Sequence, residues 1–267
     1  MNYRHAFHAG NPADCLKHAV LVALLHALRR KPAAFFVLDT HAGIGRYALE
    51  SGPASRTGEW QLGIGRLLAD PPAALTEYLG LVASLGLYPG SPALIRALLR
   101  PADRLACCEL HPEDAAALRR LFADDPQVAV HHRDGWQAIR ALLPPAQKRG
   151  LVLIDPPFEQ REDYPRIVAA MAESRARFPG GIVAAWYPIK HRAPVRALHE
   201  AAAARLRDVI AVELLLQPPL DAATLNGSGL LIAAPPWQFA AQARPMLDAL
   251  ATCFAAHAAA ITRIAEE

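Results

Sequence analysis

Short runs of β-branched and apolar residues alternate with longer stretches of helical periodicity along most of the chain. The runs predict strands at Phe35–Asp39, Leu105–Glu109, Val128–His132, Leu151–Asp155 and Gly181–Trp186, with two more at Val209–Leu216 and Gly229–Ala234. Between them the 3.6-residue pattern predicts helices over Ala13–Arg30, Pro112–Ala123, Gly135–Leu142, Tyr164–Arg177 and Pro194–Arg205. Strand–helix alternation of this kind builds a parallel sheet covered on both faces, an α/β fold. The last two strands have only the polar connection QPPLDAATLNGS between them, with its Asn226-Gly227, and are expected to pair as an antiparallel hairpin.

One interval is longer than a crossover helix requires. Between Asp39 and Leu105 the chain carries two extra helical patterns, Glu59–Ala69 and Ala73–Leu85, and then the turn Tyr88-Pro89-Gly90. Residues 51–92 are expected to form a helical subdomain inserted into one domain spanning residues 1–267.

Composition narrows the class. Apolar residues make up 53% of the 267 and charged ones 20%, enough to bury a core and too apolar for a disordered chain. No uninterrupted apolar run approaches the ~20 residues needed to span a bilayer. The N-terminal MNYRHAFHAGN lacks the apolar stretch of a signal peptide, so a cytoplasmic protein with no membrane partner is expected. The cysteines (15, 107, 108 and 253) show no CxxC spacing, and no helical His-xxx-His or HExxH pattern suggests a metal. A net charge of +3 is compatible with a polyanionic partner without identifying one.

The residue types that carry chemistry fall at the carboxyl ends of the predicted strands, where open α/β sheets hold their ligands. After the first strand comes Gly43-Ile44-Gly45-Arg46-Tyr47-Ala48, a match to G-x-G-x-x-[GA], which lets backbone approach a nucleotide closely but also describes any tight βα turn. Nicotinamide enzymes usually place such glycines directly after the strand. Here Asp39 closes the strand first, and an acid there suits a ligand bearing an ammonium group, as S-adenosylmethionine does. Glu109 closes the second strand, where a carboxylate can accept ribose hydroxyls or merely face solvent. Asp134-Gly135 follows the third, at the level of an adenine ring, although Asp is also a common helix N-cap.

The fourth strand ends in Leu153-Ile154-Asp155-Pro156-Pro157-Phe158. Two prolines stiffen the turn and remove two N–H donors, leaving a carboxylate, bare carbonyls and a flat ring. D-P-P-[FY] at this place is the signature of methyltransferases that act on an exocyclic or planar nitrogen. The N6 lone pair of adenine is delocalised into its ring. A carboxylate at 155 and a carbonyl at 156 can each accept an N6–H and turn that lone pair toward a methyl sulfonium, while Phe158 offers a stacking face. By contrast, Ala234-Pro235-Pro236-Trp237 has no side-chain acceptor and is assigned to structure. Cys107-Cys108 are assigned to the core, and His131 and His132 point to opposite faces of a strand.

Five β/α units followed by an antiparallel pair outline a seven-stranded, Rossmann-like class I methyltransferase sheet. Within that outline Tyr3–His18, Leu38–Tyr47, Tyr88–Pro92, Glu109–Pro112, Arg133–Gly135, the DPPF turn, Trp186–Pro188 and the final APPW together resemble the ribosomal RNA large subunit methyltransferase J family over essentially the whole chain. The resemblance implies transfer from S-adenosyl-L-methionine to the N6 of one adenine in 23S ribosomal RNA, by a monomer acting before the ribosome is fully assembled. It implies cofactor contacts at His18, His41, Ser91, Glu109, Asp134, Gly135 and Asp155, a catalytic acceptor at Asp155, and RNA contacts at Tyr3 and Phe158. Lys17 is a further candidate for a cofactor or phosphate contact. Phe158 stands where the family pattern carries tyrosine, which keeps stacking and loses a hydroxyl.

Two other classes compete. A DNA adenine methyltransferase shares the motif chemistry but usually needs a larger recognition domain than ~40 inserted residues, which favours a substrate read by shape and single-stranded access. A nicotinamide oxidoreductase or a nucleotide-binding module leaves the DPPF turn unexplained.

Overall fold

The computed structural model describes residues 5–159 and 162–266. Among the described residues ten strands are present: β1 (Phe36–Asp39), β2 (Arg46–Tyr47), β3 (Tyr88–Pro89), β4 (Arg104–Glu109), β5 (Val128–His132), β6 (Gly150–Ile154), β7 (Gly181–Ile189), β8 (Val209–Leu215), β9 (Gly227–Ala233) and β10 (Ala258–Ala265). Eight of them form one sheet in the order β10-β8-β9-β7-β6-β1-β4-β5, and β2 and β3 pair as a separate two-stranded ribbon. The run β5-β4-β1-β6-β7 is parallel. Strand β9 lies antiparallel between β7 and β8, so the expected hairpin forms with its second strand turned inward.

The helices are α1 (Pro12–Arg29), α2 (Pro53–Thr57), α3 (Glu59–Leu62), α4 (Ile64–Ala69), α5 (Thr76–Ser84), α6 (Ser91–Leu98), α7 (Pro112–Leu121), α8 (Gly135–Leu142), α9 (Asp163–Arg177), α10 (Arg192–Arg205) and α11 (Phe239–Cys253). They cover both faces of the sheet, which is why its central strands read as unbroken apolar runs. The alternation of side chains along β6 divides the interior. Leu151 and Leu153 pack with α1, α6 and α11, whereas Val152 and Ile154 pack with α8, α9 and α10.

The structure departs from the sequence expectation at several places: Tyr88-Pro89, expected in a turn, pairs with β2, and α2 and α6 were not foreseen. An eighth strand, β10, pairs antiparallel with β8 and extends the sheet by one position at its edge, preceded by the unforeseen α11. The helix expected over Glu59–Ala69 is broken at Gly63, because the Ile64 N–H donates to Gly10 O at 2.8 Å. A Cβ on Gly63 would stand 2.1 Å from that same carbonyl, so the close approach of the N-terminal backbone requires glycine there. The pattern over Ala73–Leu85 resolves into a 3-10 turn, Ala73–Leu75, followed by α5.

Candidate active site

Each parallel strand delivers its last residue to the same edge of the sheet. At the end of β1 the Thr40 hydroxyl donates to Leu153 O at 2.9 Å, tying β1 to β6. Its one proton is then used, so the 2.7 Å contact between Thr40 Oγ1 and His41 Nδ1 makes the imidazole the donor. Burial pushes the His41 pKa down to about 4, and the ring is neutral with Nε2 left as an acceptor. Glu109 closes β4 and accepts the Gly43 N–H at 2.8 Å and the His111 N–H at 2.7 Å. Burial is the largest influence on its carboxyl and raises the pKa despite those two amides. Gly43 has φ +61°, and a Cβ there would meet Tyr47 Oη at 2.4 Å, so the turn closes only with glycine.

Beyond β5, Asp134 caps α8, its Oδ1 accepting from Trp136 N at 2.8 Å. The neighbouring Gly135 faces the end of β1 so closely that a Cβ would lie 2.0 Å from Thr40 O. Trp136 meets the His41 ring edge-on at 5.3 Å and carries the Arg166 guanidinium 4.8 Å from its centroid.

These residues surround a cavity of about 290 Å³ whose lining includes His41, Gly43, Ser91, Glu109, Asp134, Gly135 and Asp155. Six of the seven cofactor contacts expected from sequence are therefore brought together. The seventh, His18, is fully buried and lies outside that lining, with Nδ1 3.0 Å from Tyr88 Oη. Ser91 does not cap α6; Gly90 does, and the Ser91 hydroxyl instead donates to Asp39 Oδ2 at 2.7 Å. Asp39 itself is wholly buried behind Ser91 and does not line the cavity, which it touches through that hydroxyl and the His41 backbone. Burial raises the Asp39 pKa to about 7 against the pull of Ser91 and Lys17.

A second cavity of about 320 Å³ adjoins the first, with Lys17, Asp155, Pro157 and Glu159 common to both linings. Phe158 belongs to this second cavity alone, beside Trp186, Pro188, Lys190 and Leu225. Its ring stands edge-on to Tyr164 at 5.0 Å and to Trp186 at 5.6 Å, and its backbone adopts φ +52°. A bulky residue in that left-handed region is strained, and here the aromatic packing holds it. Tyr3 lies outside the described residues.

Sequence reasoning singled out Lys17 as a candidate cofactor or phosphate contact, and the structure pairs it with two carboxylates. Lys17 Nζ donates to Asp155 Oδ2 at 2.6 Å and sits 2.8 Å from Asp14 Oδ1. Burial opposes its charge, but the two carboxylates prevail and hold its pKa well above the ordinary lysine value. Asp14, Trp136 and Arg166 were not foreseen. Asp14 precedes Lys17 by three residues and thus shares its helix face, a signal present in the sequence; nothing local marks the other two.

A family model described as ribosomal RNA large subunit methyltransferase D, RlmJ, matches residues 32–264. The chain is 43% identical over 256 residues to ribosomal RNA large subunit methyltransferase J of Escherichia coli (strain K12), covering 92% of this chain and 91% of that protein. It is 40% identical over 260 residues to the protein of the same name from Haemophilus influenzae, covering 94% and 92%. The chain belongs to the RlmJ family of ribosomal RNA large subunit methyltransferases. A crystal structure of a Legionella pneumophila protein superposes with a TM-score of 0.87 at 33% identity, covering 96% of this chain and 97% of that one.

The methyl donor of this RlmJ-family enzyme is S-adenosyl-L-methionine, and the first cavity fits it. Gly43 and Gly135 let the backbone close tightly around the cavity, Glu109 and Asp134 supply acceptors, and the neutral His41 presents an acceptor nitrogen to a cationic ligand. Among the described residues no helix is long and apolar enough to cross a membrane, and no group of three or more His, Cys, Asp or Glu could hold a metal.

Proposed function

We propose that this chain methylates the N6 amine of one adenine in 23S ribosomal RNA, with Asp155 as the proton acceptor. The observation that carries this reading is the place of Asp155: its carboxylate lies on the boundary between the two cavities, at the start of a turn held rigid by Pro156 and Pro157. The first cavity takes the donor through Ser91, Glu109, Asp134 and Gly135, and the second takes a base turned out of its stack. S-adenosylmethionine supplies an electrophilic methyl group on a cationic sulfur, which leaves as a neutral thioether. The protein's part is positioning and electrostatics. Asp155 and the Pro156 carbonyl accept the two N6–H groups, and Asp155 keeps the proton that N6 must lose. Lys17 orients the Asp155 carboxylate. Phe158 and Trp186 wall the base side, and His18 serves from behind through Tyr88. Extracting a base costs least in a loop or bulge, which suits a single-stranded region of RNA.

The test is labelled-methyl transfer to purified 23S ribosomal RNA, 16S ribosomal RNA and duplex DNA side by side, followed by nucleoside analysis. Label in N6-methyladenosine of 23S ribosomal RNA is expected. Preferential label in DNA, or in another nucleoside, overturns the reading. Asp155→Ala should nearly abolish turnover while leaving donor affinity within a few fold, since the carboxylate acts on the adenine amine.

A further inference from the structure

Asp155 is held from behind by a line of buried polar groups. Lys17 Nζ lies 2.6 Å from Asp155 Oδ2 and 2.8 Å from Asp14 Oδ1, and the Lys17 and Asp14 side chains are only 5% and 2% exposed. Asp14 is itself fixed, its Oδ2 accepting the Gly10 N–H at 2.9 Å. His18 Nε2 stands 3.4 Å from Asp14 Oδ1, His18 Nδ1 3.0 Å from Tyr88 Oη, and Tyr88 Oη 3.1 Å from Tyr78 Oη. Tyr88 leads through Pro89 and Gly90 to Ser91, the partner of Asp39. The line thus runs from the helical segment 53–98 to the acceptor carboxylate, with Asp14 and Lys17 also bordering the second cavity.

We infer that Asp14 is a positioning residue for methyl transfer, a second counter-ion that holds the Lys17 ammonium in place when Asp155 is neutralised. The inference rests on Asp155 being the proton acceptor. In the transfer the methyl–sulfur bond breaks with its electrons passing to sulfur, and the N6 lone pair forms the new C–N bond. The N6–H electrons stay on nitrogen and the proton goes to an Asp155 oxygen. At that moment Lys17 loses the charge of its nearer partner. A buried ammonium without a counter-ion is driven toward its neutral form. Asp14 prevents that, so Lys17 keeps its proton and does not compete for the one that N6 releases. One cation between two acids suits this task, whereas a single ion pair does not.

Other charged and titratable groups also face Lys17. His18 shares its helix, Asp39 lies at the end of β1, Tyr47 and Glu109 border the first cavity, and Glu159, His8 and Lys190 border the second.

The experiment compares kcat–pH profiles of the wild type, Asp14→Asn and Asp14→Glu, with S-adenosylmethionine and 23S ribosomal RNA. In Asp14→Asn the kcat should fall about tenfold or more, with KM for the donor within about threefold, because Asp14 lines the base-side cavity and not the donor cavity. Its alkaline limb should move down by about one pH unit or more, since Lys17 then loses its proton more readily. Asp14→Glu keeps the charge and should keep the alkaline limb in place while lowering kcat. In a Lys17→Met background, Asp14→Asn should cost nothing further. An unmoved alkaline limb in folded Asp14→Asn, or losses that add to those of Lys17→Met, would overturn the inference. Should Asp14→Asn fail to fold, a lowered alkaline limb in Asp14→Glu overturns it equally. Asp155→Ala is the control: if it turns over normally, the assignment of Asp155 falls; if it is inactive while Asp14→Asn is normal, only the role of Asp14 falls.

Discussion

Two acids at strand ends behave differently because their surroundings differ. Glu109 accepts two backbone amides and lines the first cavity, where we propose that its remaining lone pairs take the ribose hydroxyls of the donor. Glu109→Ala is expected to weaken S-adenosylmethionine binding by about 1.5–3 kcal/mol, the worth of a hydrogen bond to a charged group. Calorimetry that finds unchanged affinity in a folded variant refutes this. Asp39 is sealed behind Ser91 and has a pKa raised to about 7 by burial. Between the ordinary carboxylate range and that value the folded chain holds a proton that the unfolded chain has released. The contribution of Asp39 to the stability of the ligand-free protein is therefore fully present at low pH and lost as pH rises through about 7. Asp39→Asn should remove that share of the decline. Denaturant titrations at several pH values check it, and equal slopes for both proteins count against it.

At the scale of elements, the turn between β6 and α9 carries the next prediction. Phe158 is held at φ +52° by its packing against Tyr164 and Trp186, so the ring both walls the base cavity and fixes the turn. Phe158→Ala should lower kcat/KM for RNA by about 1–3 kcal/mol, the usual loss when a base–aromatic stack is removed, while Phe158→Tyr should remain close to wild type. Equal turnover by the two variants reduces Phe158 to a packing residue. This turn, the glycine turn after β1 and the cap of α8 were legible in the sequence, because each is a local device: paired prolines, closely spaced glycines, an Asp before a helical pattern. What eluded the sequence depended on distant partners. Helix α11 begins after a left-handed Gln238 and contains Pro245, features that normally argue against a helix. Strand β10 reads AAAITRIA, whose alanines have low strand propensity, and it exists because β8 offers an edge. Gly63 breaks a helical pattern only because Gly10 docks on it. The contact of His18 with Tyr88, 70 residues away, was equally out of reach; the family resemblance, not any local pattern, made His18 a candidate cofactor contact.

On the scale of the whole molecule, the site joins the two ends of the chain's history. Lys17 and Asp155 are 138 residues apart in sequence, yet they form the ion pair at the centre of the site. The helix that carries Lys17 packs against β9 and α11, which come near the other terminus. During synthesis α1 is made long before β9 and α11, and the part of its apolar surface that faces them waits for both. At about 5–20 residues per second the intervening ~200 residues take roughly 10–40 s to emerge. Over that interval α3, α5 and α6 are already at hand, while the burial of Leu16, Leu21, Leu24 and Leu25 is completed only with β9 and α11 in place. A nascent chain of this enzyme therefore assembles α1 with its early helical neighbours first, and it joins Lys17 to Asp155 and closes the sheet side of α1 only as the later elements emerge.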